Sequence, residues 1–281
     1  MLDSRIKEYL SEAGIRKISE LDTALLKAFG PEEGEKHIER LTKLYDRSEE
    51  RLVYGSRDTP YLHRQEELVD YLNQNLELSL LASSFYDWVF FRRTMDYLLR
   101  YERFWIGDIL DMGCGNGILT CFLARMRPDS SVTGTDLSEM AVSAAEELAR
   151  RLGVDHVRFA VLEAKERKKY DTLFSCRTAH ENVAQRPLIE ESKLAPLSAR
   201  EQTERHEAYA KTLSAYVKPQ GYLVSVERYE DDDAYVGLVC ALSHAGFCQV
   251  KGTHMQFSCK NGDGEAVFQA AVFQKTSGQM T

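Results

Sequence analysis

The sequence has no apolar run long enough to cross a bilayer, and its opening residues, Met1-Leu-Asp-Ser-Arg-Ile-Lys7, are too charged for a signal peptide. It has no C-x-x-C pair. The six cysteines, at 114, 121, 176, 240, 248 and 259, are irregularly spaced in the second part of the chain. That spacing argues against a metal cluster or a disulfide framework, so no metal site is expected and reduced thiols in the cytoplasm are. An excess of basic charge is also missing: 36 Lys and Arg stand against 44 Asp and Glu, a net charge of −8. A broadly phosphate-binding surface is thereby disfavoured, and with it a nucleic-acid partner, although local basic patches stay open. No internal repeat or low-complexity run occurs.

What is present describes a globular protein. At 281 residues with 43% hydrophobic and 28% charged residues, the chain forms one large domain, or one domain with a substantial extension. Residues 1–104 read as helices alone. Ile6, Tyr9 and Leu10 recur at helical spacing before Gly14; Ile18, Leu21, Leu25 and Phe29 recur again and are closed by Gly30-Pro31, a stop and restart. Ile38, Leu41, Leu44 and Tyr45 then share a face, Arg57-Asp-Thr-Pro60 is a loop, and two further helices cover His63 to Leu80 and Phe85 to Tyr101. From about residue 105 strands and helices alternate, which predicts a parallel sheet covered by helices. Strands are expected at Ile109-Leu110, Val132–Thr135, Val157–Val161, Tyr170–Cys176 and Gly221–Val226, with Ser138 capping one helix and Gly153 ending it. Another helix runs from about Ala234 to Gly246. The last two strands, near Gln249–Ser258 and Glu265–Gln274, are joined by Asn261-Gly-Asp-Gly264, a strong hairpin signal.

The most informative stretch follows the first strand: Asp111-Met-Gly-Cys-Gly-Asn-Gly117, then a helix opening at Ile118. Glycines at 113, 115 and 117 let the backbone turn sharply and let a ligand lie against it, facing the first amides of the helix. A dinucleotide fingerprint would need its third glycine where Ile118 stands. Asp111 would repel a pyrophosphate and attract a cofactor carrying an amine and a sulfonium. Over roughly Ile106 to Lys275 the chain resembles the class I S-adenosylmethionine-dependent methyltransferases, whose first motif Asp111 to Gly117 fits at every position. The resemblance implies an α/β, Rossmann-like, seven-stranded, mostly parallel sheet with a C-terminal antiparallel hairpin over residues 105–281, beside an all-helical N-terminal extension over residues 1–104. It implies S-adenosylmethionine as cofactor and S-adenosylhomocysteine as product.

Cofactor contacts are expected from Asp111, Gly113, Cys114, Gly115, Asn116 and Gly117, and from Asp136, an acid at the end of the second strand able to accept both ribose hydroxyls or else cap the next helix. Leu137 and Met140 resemble the family's apolar adenine contacts, with helix packing the alternative. Leu162, Glu163 and Ala164 stand where the family has an acid and a small residue near the adenine amine; Glu163 replaces the commoner Asp, and a solvated loop is the alternative. Cys176-Arg-Thr-Ala-His-Glu-Asn182 leaves the fourth strand beside the expected methyl donor. Cys176 is counted with the cofactor contacts and Arg177 with the acceptor. His180 is the candidate general base, with Glu181 orienting it or taking the proton, and His180 otherwise lines the pocket. Tyr86 and Trp88, on the aromatic N-terminal helix, are candidate acceptor contacts, and core packing is their alternative. The long, charged connection after Asn182, with Arg186, Lys193 and Arg200, reads as a lid or as a solvated charge run.

The function expected is methyl transfer to an oxygen or nitrogen of a small molecule, a specialised metabolite among the candidates, enclosed by the helical region. The alternatives are a peptide or protein methyltransferase, a protein that binds the cofactor without transfer, and a nicotinamide oxidoreductase, against which Ile118 and Asp111 both speak. The Asn/Asp-Pro-Pro-Tyr/Phe motif of amino-methylating enzymes and the Pro-Cys pair of cytosine-C5 enzymes are both missing. No membrane association is expected, and the N-terminal helices could equally form a homodimer interface.

Overall fold

The computed structural model describes residues 3–54, 62–162, 168–183, 197–229, 232–261 and 264–277. Helix α1 spans Ser4–Glu12 and buries Ile6, Tyr9 and Leu10, the three residues at helical spacing. Helix α2, Leu21–Tyr54, is broken at Gly30, whose φ of 79° and ψ of 170° no helix accommodates; Pro31 restarts it. Ile18 precedes α2 and lies outside it.

The two helices expected between His63 and Tyr101 are three: α3, Leu62–Asn73; α4, Leu76–Tyr86; and α5, Trp88–Arg100. The first break falls where Asn75 takes an extended conformation and its side chain accepts the Leu78 amide, a cap that competes with continuing the helix. The second falls at Asp87, which leaves the helical region at φ −118° and ψ 8° while its amide still reaches Ser83 O.

The sheet comprises β1 (Asp108–Met112), β2 (Ser131–Asp136), β3 (Val157–Val161), β4 (Tyr170–Cys176), β5 (Val217–Arg228), β6 (Phe247–Gln249), β7 (Met255–Asn261) and β8 (Gly264–Lys275). Its order is β3-β2-β1-β4-β5-β8-β6, with β7 also on β8. The first five strands pair in parallel, and β8 runs antiparallel to β5, β6 and β7. The expected single strand Gln249–Ser258 is therefore two short ones on one edge of β8, so eight strands occupy seven positions. Gly252, at φ 74°, makes the turn between them. Tyr97 and Tyr101 of α5 donate their hydroxyls to Thr253 O (2.9 Å) and Gly252 O (2.7 Å), fixing that turn from outside the sheet. The strand expected at Gly221–Val226 is longer, so Lys218-Pro-Gln-Gly221 lies inside β5 as an irregularity, with Gln220 at φ 65° and a register shift against β4.

Helices α6 (Ile118–Met126) and α7 (Glu139–Leu152) cover one face of the sheet; α9 (Ala199–Tyr216) and α10 (Asp232–His244) cover the other, and the short α8, Ala179–Asn182, follows β4. Alternate strand residues feed the two cores: Ile109, Phe174 and Val224 on one side, Leu110, Leu173 and Leu223 on the other. The N-terminal helices share the first core, through Ile6, Tyr9, Phe90 and Tyr97. They also hold a small core of their own, built on Leu25, Leu41, Leu44, Leu68, Leu78 and Leu81. Among the described residues no helix is long and apolar enough to cross a membrane.

Candidate functional site

The carboxyl ends of β1 and β2 meet at the glycine turn. Gly113 N and Cys114 N both donate to Thr135 O, at 2.8 and 2.9 Å, so the turn is pinned to the last residues of β2. The three glycines have positive φ but different duties. A Cβ at Gly113 would stand 2.5 Å from Thr178 Cγ2, and one at Gly117 would stand 2.7 Å from Ala145 Cβ. Those two glycines exist for packing, the first under α8 and the second against α7. Gly115 alone has nothing within 4 Å of its would-be Cβ, so it is the member of the triplet whose backbone a ligand can reach.

Asp136 follows directly. Its Oδ2 accepts Gly115 N at 2.9 Å and its Oδ1 accepts Ser138 N at 3.0 Å. A carboxylate has about four acceptor positions, so two remain for the hydroxyls of a ribose. Burial pushes the Asp136 pKa up, the backbone amides of Ser138, Gly115 and Leu137 pull it down, and nearby Asp70 adds a like-charge push. Asp136 does not cap α7; Ser138 does, accepting Ala141 N at 3.1 Å. Leu137 is 54% exposed and Met140 43%. Apolar residues serving helix packing would not stand so open, and the two offer an apolar wall beside Asp136. Leu162 adjoins them, its amide donating to Asp136 O at 2.8 Å. The open cradle at Gly115, the spare acceptors of Asp136 and this wall together fit the sugar and base of S-adenosylmethionine.

Asp111 behaves differently from the sequence expectation. It is only 2% exposed, and its Oδ2 accepts the Thr120 hydroxyl of α6 at 2.6 Å. Burial pushes its pKa up to about 7, against the pull of Thr120. The carboxyl therefore backs the turn from within, tying β1 to α6. Cys114 and Cys176 are buried thiols held neutral by desolvation.

The N-terminal helices roof this end of the sheet. Asn116 Nδ2 donates to Ser79 Oγ (2.8 Å) and Ser83 Oγ (2.9 Å) of α4. Ser138 Oγ donates to Asp70 Oδ1 of α3 at 2.6 Å, and Tyr9 of α1 donates to Ile118 O at 2.5 Å. Arg177 leaves β4 in a left-handed conformation, φ 60°, and pairs with Asp87 at 2.8 Å while lying over the Phe90 ring. A non-glycine residue held there is an outlier of the kind that collects at working sites. Tyr86 and Trp88, one residue either side of Asp87, open onto different cavities. Tyr86 lines one of about 570 Å3 together with Phe85, Tyr45, Asp22 and Leu41; Trp88 lines another, between α1 and α5.

His180 and Glu181 fall within α8, but their side chains, like Glu163 and Ala164, lie outside the described residues, as do Arg186 and Lys193. Arg200 is exposed on α9, paired with Glu204 at 2.7 Å.

Sequence reasoning missed what holds α8. Glu227 of β5 is fully buried; it accepts Ala179 N at 2.9 Å, the Ser175 hydroxyl at 2.6 Å and the Tyr209 hydroxyl at 3.2 Å. Thr178 shares its hydroxyl with Ser175 (2.8 Å) and Tyr209 (2.6 Å). Burial pushes Glu227 up to about 7 against these hydrogen bonds. The available signal was an acid closing the apolar run Gly-Tyr-Leu-Val-Ser-Val-Glu227.

A family model described as a methyltransferase domain matches residues 107–258, more than half of the chain. Malonyl-(acyl-carrier protein) O-methyltransferase of Acetivibrio thermocellus is 34% identical over 71 residues, 25% of this chain and 25% of that protein. Ribosomal RNA large subunit methyltransferase G of Vibrio atlanticus is 26% identical over 156 residues, 51% of this chain and 38% of that protein. The chain thus spans well under half the length of the curated relatives it matches. Among solved structures, magnesium protoporphyrin IX methyltransferase from Synechocystis PCC 6803, with S-adenosylmethionine bound, is 15% identical. That match covers 92% of this chain and 99% of that one, with a TM-score of 0.46.

Proposed function

The chain belongs to the class I S-adenosylmethionine-dependent methyltransferase family, and from that premise we propose that it transfers a methyl group to an oxygen or nitrogen of a small-molecule acceptor. The cofactor supplies the electrophilic methyl group on its sulfonium. Gly115 receives it against the backbone, Asp136 holds the ribose hydroxyls, and Leu137, Met140 and Leu162 flank the adenine. The family pattern assigns the adenine amine to Glu163 and Ala164, which lie outside the described residues.

One observation carries the preference for a small acceptor. The helices α4 and α5 are fastened across the strand ends by Asn116 to Ser79 and Ser83 and by Arg177 to Asp87. Such a roof narrows the approach to the strand ends, and a cover of that kind suits an acceptor small enough to be enclosed beneath it. Methyl transfer from a sulfonium is an in-line displacement, so much of the rate comes from alignment and from excluding water. In this reading Tyr86 and Arg177 shape the acceptor side, whereas Trp88 faces the separate cavity between α1 and α5. The Glu227 network fixes the start of α8, from which His180, with Glu181, removes the acceptor's proton. Residues 1–104 act as the cap.

The test is transfer of a labelled methyl group from S-adenosylmethionine into fractionated cell extract. Label in the low-mass fraction supports the reading. Label confined to protein would replace it with a protein acceptor, label confined to RNA with an RNA acceptor, and cofactor binding with no label in any fraction with a binding protein.

A further inference from the structure

The cavity that Trp88 lines lies between α1, the loop that follows it, and α5, apart from the glycine turn. Its volume is about 550 Å3. Leu10, Ile15 and Trp88 form its apolar part, and Lys7, Arg16, Lys17 and Arg92 stand around it. No carboxylate lines it among the described residues. Among the described residues none of these four cations makes an ion pair, whereas Arg5 pairs with Asp3, Lys36 with Glu32 and Glu33, Lys43 with Glu39 and Arg100 with Asp96. Arg92 is the most telling member. Its guanidinium lies over the Trp88 ring, 5.2 Å from the centroid, and its Nε is a buried donor with no acceptor among the described residues.

In a chain of net charge −8 a cluster of four unneutralised cations is a local reversal of sign. Arg92 sets the cluster apart from solvated lysines, because it is held half-buried against an indole with a donor unsatisfied among the described residues. A guanidinium and three further cations around one concavity suit a multiply charged anion with several acceptor oxygens, which a lone carboxylate does not offer. The indole and the aliphatic floor suit an organic moiety attached to it. We propose that this cavity binds a small organic di- or polyphosphate, with Arg92, Arg16, Lys17 and Lys7 on the phosphates and Trp88, Leu10 and Ile15 under the organic part. The proposal does not depend on the methyl-transfer reading. It does give α1 two faces: one on this cavity, and one where Tyr9 holds Ile118 O at the start of α6.

The protein contains two tryptophans, and the other, Trp105, is fully buried. Iodide quenching of tryptophan emission therefore reads Trp88. Inorganic pyrophosphate, titrated at constant ionic strength, should relieve that quenching saturably, and sulfate at matched ionic strength should not. Arg92→Gln and Lys17→Gln should each weaken the pyrophosphate effect by roughly tenfold. Lys17 is exposed, so its variant decides the matter even where Arg92→Gln loosens the cavity; unchanged quenching by neutral acrylamide certifies the fold. Equal, unsaturable effects of pyrophosphate and sulfate would overturn the proposal, as would Lys17→Gln binding pyrophosphate like the wild type. S-adenosylmethionine titration on the same samples reports the glycine turn separately, so loss of one reading leaves the other standing.

Discussion

Raising the pH from 5 to 8 should destabilise this protein, and Glu227 is the place to measure why. Its ordinary pKa of 4.5 is raised to about 7 by complete burial. The native state thus holds a proton that the unfolded chain releases. Below pH 4.5 the shift has no effect; stability falls as the pH climbs from about 4.5 to about 7 and is level above that. The span from 4.5 to about 7, at about 1.4 kcal/mol for each tenfold change in proton affinity, corresponds to roughly 3 kcal/mol at pH 8. Glu227→Gln cannot ionise. Its amide oxygen can still accept Ala179 N while its NH2 donates to the Ser175 and Tyr209 hydroxyls, both of which can turn to receive it. Urea unfolding at several pH values should therefore find Glu227→Gln close to wild type at pH 5 and more stable by up to about 3 kcal/mol at pH 8. Asp111, also raised to about 7, keeps part of the slope in the variant. A variant destabilised equally at every pH, with the wild-type slope unchanged, would refute the reasoning and mean that the hydrogen bonds hold Glu227 ionised.

The glycines of the turn should separate by readout. Gly113→Ala, whose Cβ would meet Thr178 Cγ2 at 2.5 Å, should lose about 1–3 kcal/mol of stability, seen as a lowered melting temperature. Gly115→Ala meets no atom, so it should fold at a cost of about 1–2 kcal/mol for its left-handed backbone and lose cofactor affinity in calorimetry. Asn116→Ala removes both hydroxyl contacts to α4 and should increase amide hydrogen exchange in Ser79–Tyr86 while β1 stays protected. Asp87→Asn weakens the bond to Arg177; it should raise the KM for the acceptor more than it changes the cofactor Kd.

The sheet was legible where local chemistry is self-sufficient. Val157–Val161 and Tyr170–Cys176 are strands with the bounds their composition indicates, Ser138 and Gly153 cap α7, and Gly30-Pro31 breaks α2. Legibility failed where distant residues decide. Apolar spacing runs through Asn73–Asn75 and through Asp87, so nothing in periodicity marks the breaks that side-chain caps and the Asp87–Arg177 pair impose. The turn that splits the strand before β8 is held by tyrosines about 150 positions earlier. At the site, the glycine motif and Asp136 stood out in the sequence as candidates, but the motif could not say that Gly113 and Gly117 serve packing or that Asp111 turns inward to Thr120. The Glu227 network draws on positions 175, 178, 209 and 227, which only the folded sheet brings together.

The most direct measurement is calorimetric titration of S-adenosylmethionine, and separately of NAD, into the wild type and Asp136→Ala, with thermal melts of both. Saturable S-adenosylmethionine binding is expected in the wild type, weakened at least tenfold, roughly the worth of one hydrogen bond to a charged acceptor, in a variant that still melts cooperatively. NAD should give no heat beyond dilution. Binding of NAD, or S-adenosylmethionine binding that ignores the loss of Asp136, would contradict this assignment.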